Sequence, residues 1–193
     1  MALRELAFFL VPWPAMINAV SSGLDVSSTD RTTTTGYEST RTGFNIGTSF
    51  EQYENVFFAP EISISTEDIE AESSASSNIK KMEGTYFNSD LAYSITLDKR
   101  NQVFQPTAGY ITKFRQSLPL IMDSSAVMNG LDISGYRAIS EDVIGAVKFY
   151  ARSIHALGDD DVRLTSRLFL PPKRLRGFNT RKVGPKDGED WVG

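Results

Sequence analysis

The sequence predicts an all-β, antiparallel up-and-down meander of about seven strands, each long enough to cross a bilayer. Apolar and polar residues alternate with period two in segment after segment, as they do where successive side chains leave a strand on opposite faces. Several of these segments run beyond ten residues. Strands in soluble domains are usually about five or six residues long, whereas a strand tilted across a bilayer needs about 9–11. Composition agrees: 12 Phe and 7 Tyr stand among abundant Gly, Ser, Thr and Asn, a mixture suited to strands and turns.

Residues 1–14 show no strand pattern. Leu6–Val20 is apolar with Arg4 ahead of it, as in a secretory leader. Pro12 and Pro14 interrupt it, however, and Asn18-Ala19-Val20 makes a poor cleavage site, so residues 1–14 are read as the start of a partial chain. Residues 15–157 hold the strands. A weakly patterned one runs from about Met16 to Ser28. In Arg41–Glu51, Thr42, Phe44, Ile46, Thr48 and Phe50 oppose Arg41, Gly43, Asn45, Gly47 and Ser49. In Val56–Glu67, Val56, Phe58, Ile62 and Ile64 oppose Glu61, Ser63, Ser65 and Glu67. Thr85–Leu97 splits most cleanly, with Phe87, Leu91, Tyr93, Ile95 and Leu97 against Asn88, Asp90, Ser94 and Thr96. In Ala108–Leu120, Tyr110, Phe114, Leu118 and Leu120 oppose Lys113, Arg115 and Ser117, and alternation continues, less cleanly, through Val127–Arg137 and Val143–Leu157.

Polar loops at Thr29–Gly36, Ile69–Glu83 and Met122–Ala126 alternate with connections at Gln52–Asn55, Asp98–Pro106 and Ser140–Asp142. Membrane barrels place longer loops outside and shorter turns at the periplasmic end. No run of about 18 apolar residues is present, so a spanning helix is not expected. In lipid every backbone polar group must be paired, so a spanning sheet must close, and single-chain bacterial barrels have even strand numbers from about eight upward. Seven strands imply part of a larger barrel.

Composition also excludes several chemistries. With no Cys there is no disulfide, thiolate metal site or Cys nucleophile. The net charge of −4 is spread along the chain without a basic stripe, so no nucleic-acid partner is expected. There is no Walker loop and no dinucleotide fingerprint, and no cofactor or metal is expected. Asp159-Asp160-Asp161 lacks EF-hand spacing and reads as a solvated turn. His155, the single His, has no recognisable partner and reads as a strand residue at the interface. Tyr86, Tyr93, Tyr110, Tyr136 and Tyr150 suit aromatic girdles or serve as strand formers. Lys113 and Arg115 suit a wet lumen or a solvated sheet face.

Residues 158–193 break the alternation. Pro171-Pro172, Arg174-Leu175-Arg176-Gly177-Phe178 and Val183-Gly184-Pro185-Lys186-Asp187-Gly188 form a long loop rich in Arg and Lys. Pro fixes φ, Gly permits unusual backbone geometry, and Arg is a planar bidentate donor. Loops this long are usually functional or disordered.

Leu175-Arg176-Gly177-Phe178 resembles the Val/Ile/Leu-Arg-Gly-Phe motif in the sixth external loop of the outer-membrane assembly-factor superfamily. That group is also called the bacterial surface antigen superfamily and includes the BamA-like proteins, their organellar relatives and the two-partner secretion transporters. Asp98-Lys99-Arg100-Asn101 followed by Pro106-Thr107-Ala108-Gly109-Tyr110 is similar to a periplasmic turn of the BamA-like members. Val183 to Gly188, including Gly184, Pro185, Asp187 and Gly188, is similar to the continuation of the loop motif. The likeness runs from about Gly36 to Gly193.

The resemblance implies a sixteen-stranded barrel of which this chain holds the fifth to eleventh strands plus the start of the sixth external loop, in keeping with the even strand numbers of such barrels. It implies a loop folded back into the lumen, with Arg176 pairing to acidic residues of later strands beyond Gly193. In this chain Arg176 is then expected to be solvated or mispaired, Gly177 to allow close backbone approach and Phe178 to pack inside the lumen. The implied activity is folding and insertion of β-barrel proteins into the bacterial outer membrane, without covalent chemistry and hence not as an enzyme. The implied partners are outer-membrane lipid, unfolded β-barrel clients and accessory lipoproteins. Three rivals remain: a secretion transporter of the same superfamily, an outer-membrane hydrolase using Ser and His155, and a soluble β-sandwich binding module.

Overall fold

The computed structural model describes residues 17–30, 36–122, 126–158, 162–163, 165–171, 174–175, 177–179, 182–187 and 190–191. The leader-like residues 1–14 lie outside them. Seven strands follow one another in the sheet in chain order: β1 (Ile17–Asp30), β2 (Tyr37–Tyr53), β3 (Val56–Ala71), β4 (Gly84–Asp98), β5 (Ala108–Met122), β6 (Ala126–Ala138) and β7 (Ile144–Ala156). Every neighbouring pair is antiparallel. The sheet is an open meander with β1 and β7 at its edges. A one-turn helix, α1 (Ser77–Lys80), interrupts the β3–β4 loop, and a short hairpin, β8 (Lys186–Asp187) with β9 (Asp190–Trp191), ends the chain.

The register builds two unlike faces. On one, Phe50, Phe58, Ile95, Phe114, Leu131 and Ala151 lie side by side across β2 to β7, and Ile46, Ile62, Leu91 and Leu118 form the parallel row above. On the other, Thr96, Lys113, Asp132 and Tyr150 are neighbours, as are Arg41, Glu67 and Tyr86. Burial decides which face is covered. Ile62 and Ile64 are 45 % and 46 % exposed, whereas Ser65 and Glu67, which follow on the inner face of the same strand, are 4 % and 8 % exposed. The apolar face is bare and the polar face is the one that loops cover.

Two local features modify the alternation. Ser89 pairs with Ile121 but Asp90 with Pro119, so Leu120 is an extra residue that bulges β5. Pro119 has no N–H to give the ladder, and a bulge is where a sheet tolerates that. Ile121 rather than Leu120 therefore continues the outer row. The second feature is polar: the Tyr93 hydroxyl donates to Gln116 Oε1 at 2.8 Å, Gln116 Nε2 to Asn129 Oδ1 at 2.6 Å, and Asn129 Nδ2 to the Ser153 hydroxyl at 3.4 Å. These four residues occupy one cross-strand row of the outer face, directly beside the aromatic row.

The small fully buried core sits at the loop end of the inner face. Tyr37, Ile69, Ala75 and Ile79 are 0 %, 1 %, 7 % and 1 % exposed, with Met82 and Tyr86 packed against them. The Glu72–Glu83 loop thus turns inward: α1 drives Ile79 against Tyr37 and Ile69, and the Tyr86 hydroxyl donates to the Met82 carbonyl at 3.0 Å.

Facing sets the expected outcome of charge insertion. Arg at the bilayer midplane on a lipid-facing position costs about 2–4 kcal/mol. Ile62→Arg in the full-length protein therefore lowers the denaturant midpoint of the heat-modifiable folded band, while Ser63→Arg, one residue on and facing inward, stays within about 1 kcal/mol of the parent. Equal losses at the two positions contradict the assignment of faces.

Candidate functional site

The inner face concentrates the charges. Asp132 on β6 accepts from Arg152 on β7, Oδ2 to Nη2 at 2.5 Å, and from Arg174 of the C-terminal loop, Oδ1 to Nη2 at 3.1 Å. Both guanidiniums also lie over the Tyr150 ring, at 4.2 and 4.5 Å from its centroid. Gly130, paired with Arg152, makes the room: a Cβ there would meet the Arg152 Cζ at 2.9 Å. Nearer the loop end, Arg163 enters a socket formed by β3 and β4. It is 5 % exposed, donates to Asn88 Oδ1, lies 3.9 Å from the Glu67 carboxylate and stacks 4.7 Å over Tyr86. The Thr165 hydroxyl donates to Glu67 Oε2 at 3.0 Å. Removing one partner of a buried pair leaves an uncompensated charge and costs about 3–5 kcal/mol.

Between these clusters the inner face is hollowed by a polar cavity of about 310 Å³ lined by Ser49, Glu61, Ser94, Lys113 and Arg115, among others. Lys113 and Arg115 thus line this cavity on the inner face. No group of three or more metal-ligating side chains occurs among the described residues. His155 pairs with Val127 at the loop end of the outer face and is exposed.

The β4–β5 turn is built from the residues the sequence singled out. Arg100 grips Asp98 with two side-chain bonds, Nε to Oδ1 at 2.8 Å and Nη2 to Oδ2 at 2.6 Å, and reaches the Val103 carbonyl at 3.2 Å. Its pKa is raised by that hydrogen-bonded carboxylate. Asn101 closes the turn by accepting from the Thr107 and Ala108 amides, both at 3.1 Å. Pro106 stands at the end of the loop before β5. Gly109 has φ +93°, and a Cβ there would lie 2.0 Å from the Lys99 carbonyl oxygen. Tyr110 follows on the outer face, its backbone carbonyl accepting from the Lys99 amide at 2.8 Å. Sequence reasoning identified Asp98, Arg100 and Gly109 but passed over Asn101 as a structural ligand of the turn. Its place between a charged run and Thr107 is the signal of such a side-chain-to-backbone closure.

A family model described as the Omp85 superfamily domain matches residues 8–193. The chain belongs to the Omp85 superfamily. The superfamily comprises β-barrel membrane proteins. Among curated proteins, this Omp85 chain is 25 % identical over 122 residues to the human Sorting and assembly machinery component 50 homolog, which covers 62 % of this chain and 26 % of that protein. It is 30 % identical over 129 residues to a SAM50-like protein of Schizosaccharomyces pombe, with the same shares covered. In fold it is similar to a solved structure of BamA from Haemophilus ducreyi lacking POTRA domains 1-3, with TM-score 0.72 and 17 % identity over 86 % of this chain and 36 % of that one. The chain therefore spans about a quarter to a third of the length of these relatives.

Of the loop motif, Arg176 and, further on, Gly188 lie outside the described residues. Leu175 is half-buried. Gly177 has φ +89° with nothing within 4 Å of a built Cβ, so its glycine answers a backbone conformation and not the close approach expected from the sequence. Phe178 is 58 % exposed rather than packed in a lumen, because the open sheet walls the loop on one side alone. Gly184 has φ +141°, and Pro185 precedes the β8–β9 hairpin in which Asp187 pairs with Asp190 and the Lys186 ammonium lies 4.5 Å over Trp191. Among the described residues, contacts between the loop and the inner face include those of Arg163, Thr165 and Arg174, which the sequence did not single out.

The turn chemistry yields a paired expectation. Gly109→Ala combines a disfavoured φ with a backbone collision and destabilises the folded barrel by more than about 1 kcal/mol, whereas Gly135→Ala, with open space around it, is tolerated. Urea titration of the two full-length variants, read by loss of heat-modifiable migration, checks it. A parent-like Gly109→Ala removes the structural account of this turn.

Proposed function

We propose that this chain is part of the barrel of an outer-membrane protein assembly factor, which folds and inserts other β-barrel proteins without covalent chemistry, cofactor or metal. The observation that carries the reading is the loop segment laid on a charged inner face beneath a bare apolar outer face, in a member of the Omp85 superfamily. The outer face meets lipid, the inner face lines a sixteen-stranded lumen, and the C-terminal loop projects into it. Closing the sheet is required by the free edges of β1 and β7, since an unpaired peptide group in hydrocarbon costs several kcal/mol. Unfolded barrel proteins are the clients, and accessory lipoproteins of the assembly complex the fixed partners.

The sequence reading places the chain in the bacterial outer membrane. A second reading, the outer membrane of mitochondria, is favoured by the curated relatives, which are eukaryotic sorting and assembly machinery components. One experiment tests both. Residues 17–193 replace the matching segment of the human relative in cells depleted of it, and of the Haemophilus ducreyi BamA in a depletion strain. Restored levels of folded barrel proteins are expected in at least one host, and the host rescued better identifies the membrane. A chimera that is inserted and folded in both hosts, yet restores barrel assembly in neither, overturns the proposal.

A further inference from the structure

Among the described residues, the loop is attached to the inner face ahead of the motif through Arg163 and through Arg174. Arg163 opens a hydrogen-bonded turn, its carbonyl accepting from the Ser166 and Arg167 amides at 3.0 and 3.1 Å, while its side chain is buried in the Glu67, Asn88 and Tyr86 socket. Arg174 closes a second turn, its amide donating to the Pro171 carbonyl at 2.8 Å, while its guanidinium takes Asp132 and Tyr150. The first socket lies on β3 and β4, the second on β6 and β7. The segment between them therefore runs both across three strand spacings, about 14 Å, and along the strands, since Asp132 lies level with Thr96, eight residues along β4 from Asn88.

We propose that Arg163 and Arg174 are positioning residues that clamp the loop to the wall of the barrel and fix where Arg176 can reach. The geometry is restrictive for Arg174 in particular. Its Cα and that of Arg176 are separated by two residues, so they stand at most about 7 Å apart however the backbone is arranged. An Arg174 held on Asp132 and Tyr150 therefore tethers the chain leading into the motif to β6 and β7. Both sockets match a guanidinium rather than an ammonium: each pairs a carboxylate with an aromatic face, and Arg alone offers a planar fork that can do both. Asp132 also holds Arg152, so its carboxylate is oriented before the loop arrives.

The inference rests on the reading of the inner face as a lumen, and its test separates the two. In the full-length protein in its membrane, cysteines are placed singly at Ser166, Leu175 and Ile62 and labelled with a membrane-impermeant maleimide. Slow labelling at Ser166 and Leu175 is expected. Arg163→Ala should raise the rate at Ser166, and Arg174→Ala the rate at Leu175, each by about tenfold, as a local release of the loop would. Arg174→Lys keeps the charge but not the fork and should fall between parent and Ala. Because a positioning residue acts through Arg176, the double variant Arg174→Ala/Arg176→Ala should assemble client barrels no worse than Arg176→Ala alone. Unchanged labelling in the Ala variants, or additive losses in the double variant, overturns the clamp. Rapid labelling at Ile62 instead contradicts the lipid-facing assignment, and with it the barrel reading. If Arg163→Ala does not fold, Arg163→Lys and the Arg174 series carry the same decision.

Discussion

In hydrocarbon an unpaired peptide group costs several kcal/mol, so a spanning strand must be paired along its whole length with a neighbour on each side. That constraint explains why β1 to β7 are antiparallel neighbours in strict chain order: each strand, once placed, is the template for the next. It also explains the two faces. With backbone groups committed to the ladder, side chains alone distinguish lipid from water, and a period of two leaves no freedom in which residues go where. Among the described residues this ladder is irregular between Ile17 and Ala19, between Glu51 and Tyr53, and at Leu120, the last beside Pro119, where the ladder lacks a donor in any case.

The same division makes the inner face costly to leave bare of partners. Asp132, Arg152, Glu67 and Arg163 sit on or against a wall where neighbouring chain restricts water, and charges so placed need oppositely charged, hydrogen-bonded company. The loop supplies part of it. Arg163 and Arg174 arrive from a segment with no strand structure of its own, and the inward-turned Glu72–Glu83 loop covers the end of the same face with Ile79. Tyr86 joins the two: it supports the cap through its hydroxyl and Arg163 through its ring. A displacement of the cap is therefore felt at the Arg163 socket, because both are packed on one side chain.

The strands were most legible where the alternation is clean, and the Thr85–Leu97 pattern maps onto β4 within one residue at each end. The ends of β2 and β3 were harder. Tyr37–Thr40 and Asp68–Ala71 are mostly polar, and strand character there comes from pairing with each other, which no local pattern reveals. The helix α1 was hidden for a related reason: four residues are too few for a helical period, and Ile79 is fixed by Tyr37 and Ile69, forty-two and ten positions away in the chain. At the site, the Asp98–Tyr110 turn could be read because its chemistry is local. The loop could not. Its motif drew attention to Arg176, but which arginine finds a carboxylate depends on where β3 and β6 place Glu67 and Asp132, and that is a property of the assembled sheet.

The row of Tyr93, Gln116, Asn129 and Ser153 shows how far the lipid constraint extends beyond the backbone. Isolated amides on a lipid-facing surface are unfavourable for the same reason that free peptide groups are. Aligned on adjacent strands, each donates to the next, so Gln116 and Asn129 both give and receive a hydrogen bond without leaving the row. Such a chain is stable only in one register, since a shift of any strand by a single residue would turn its amide to the inner face and strand the neighbours' donors. The aromatic row beside it, Phe50 to Phe58 at 5.6 Å and Phe58 to Tyr93 at 6.0 Å, tolerates small shifts that the amides do not. Apolar packing therefore sets which face is outward, and the amide row adds a specific penalty against slippage between β4 and β7, among which β4 carries Asn88 of the Arg163 socket and β6 carries Asp132.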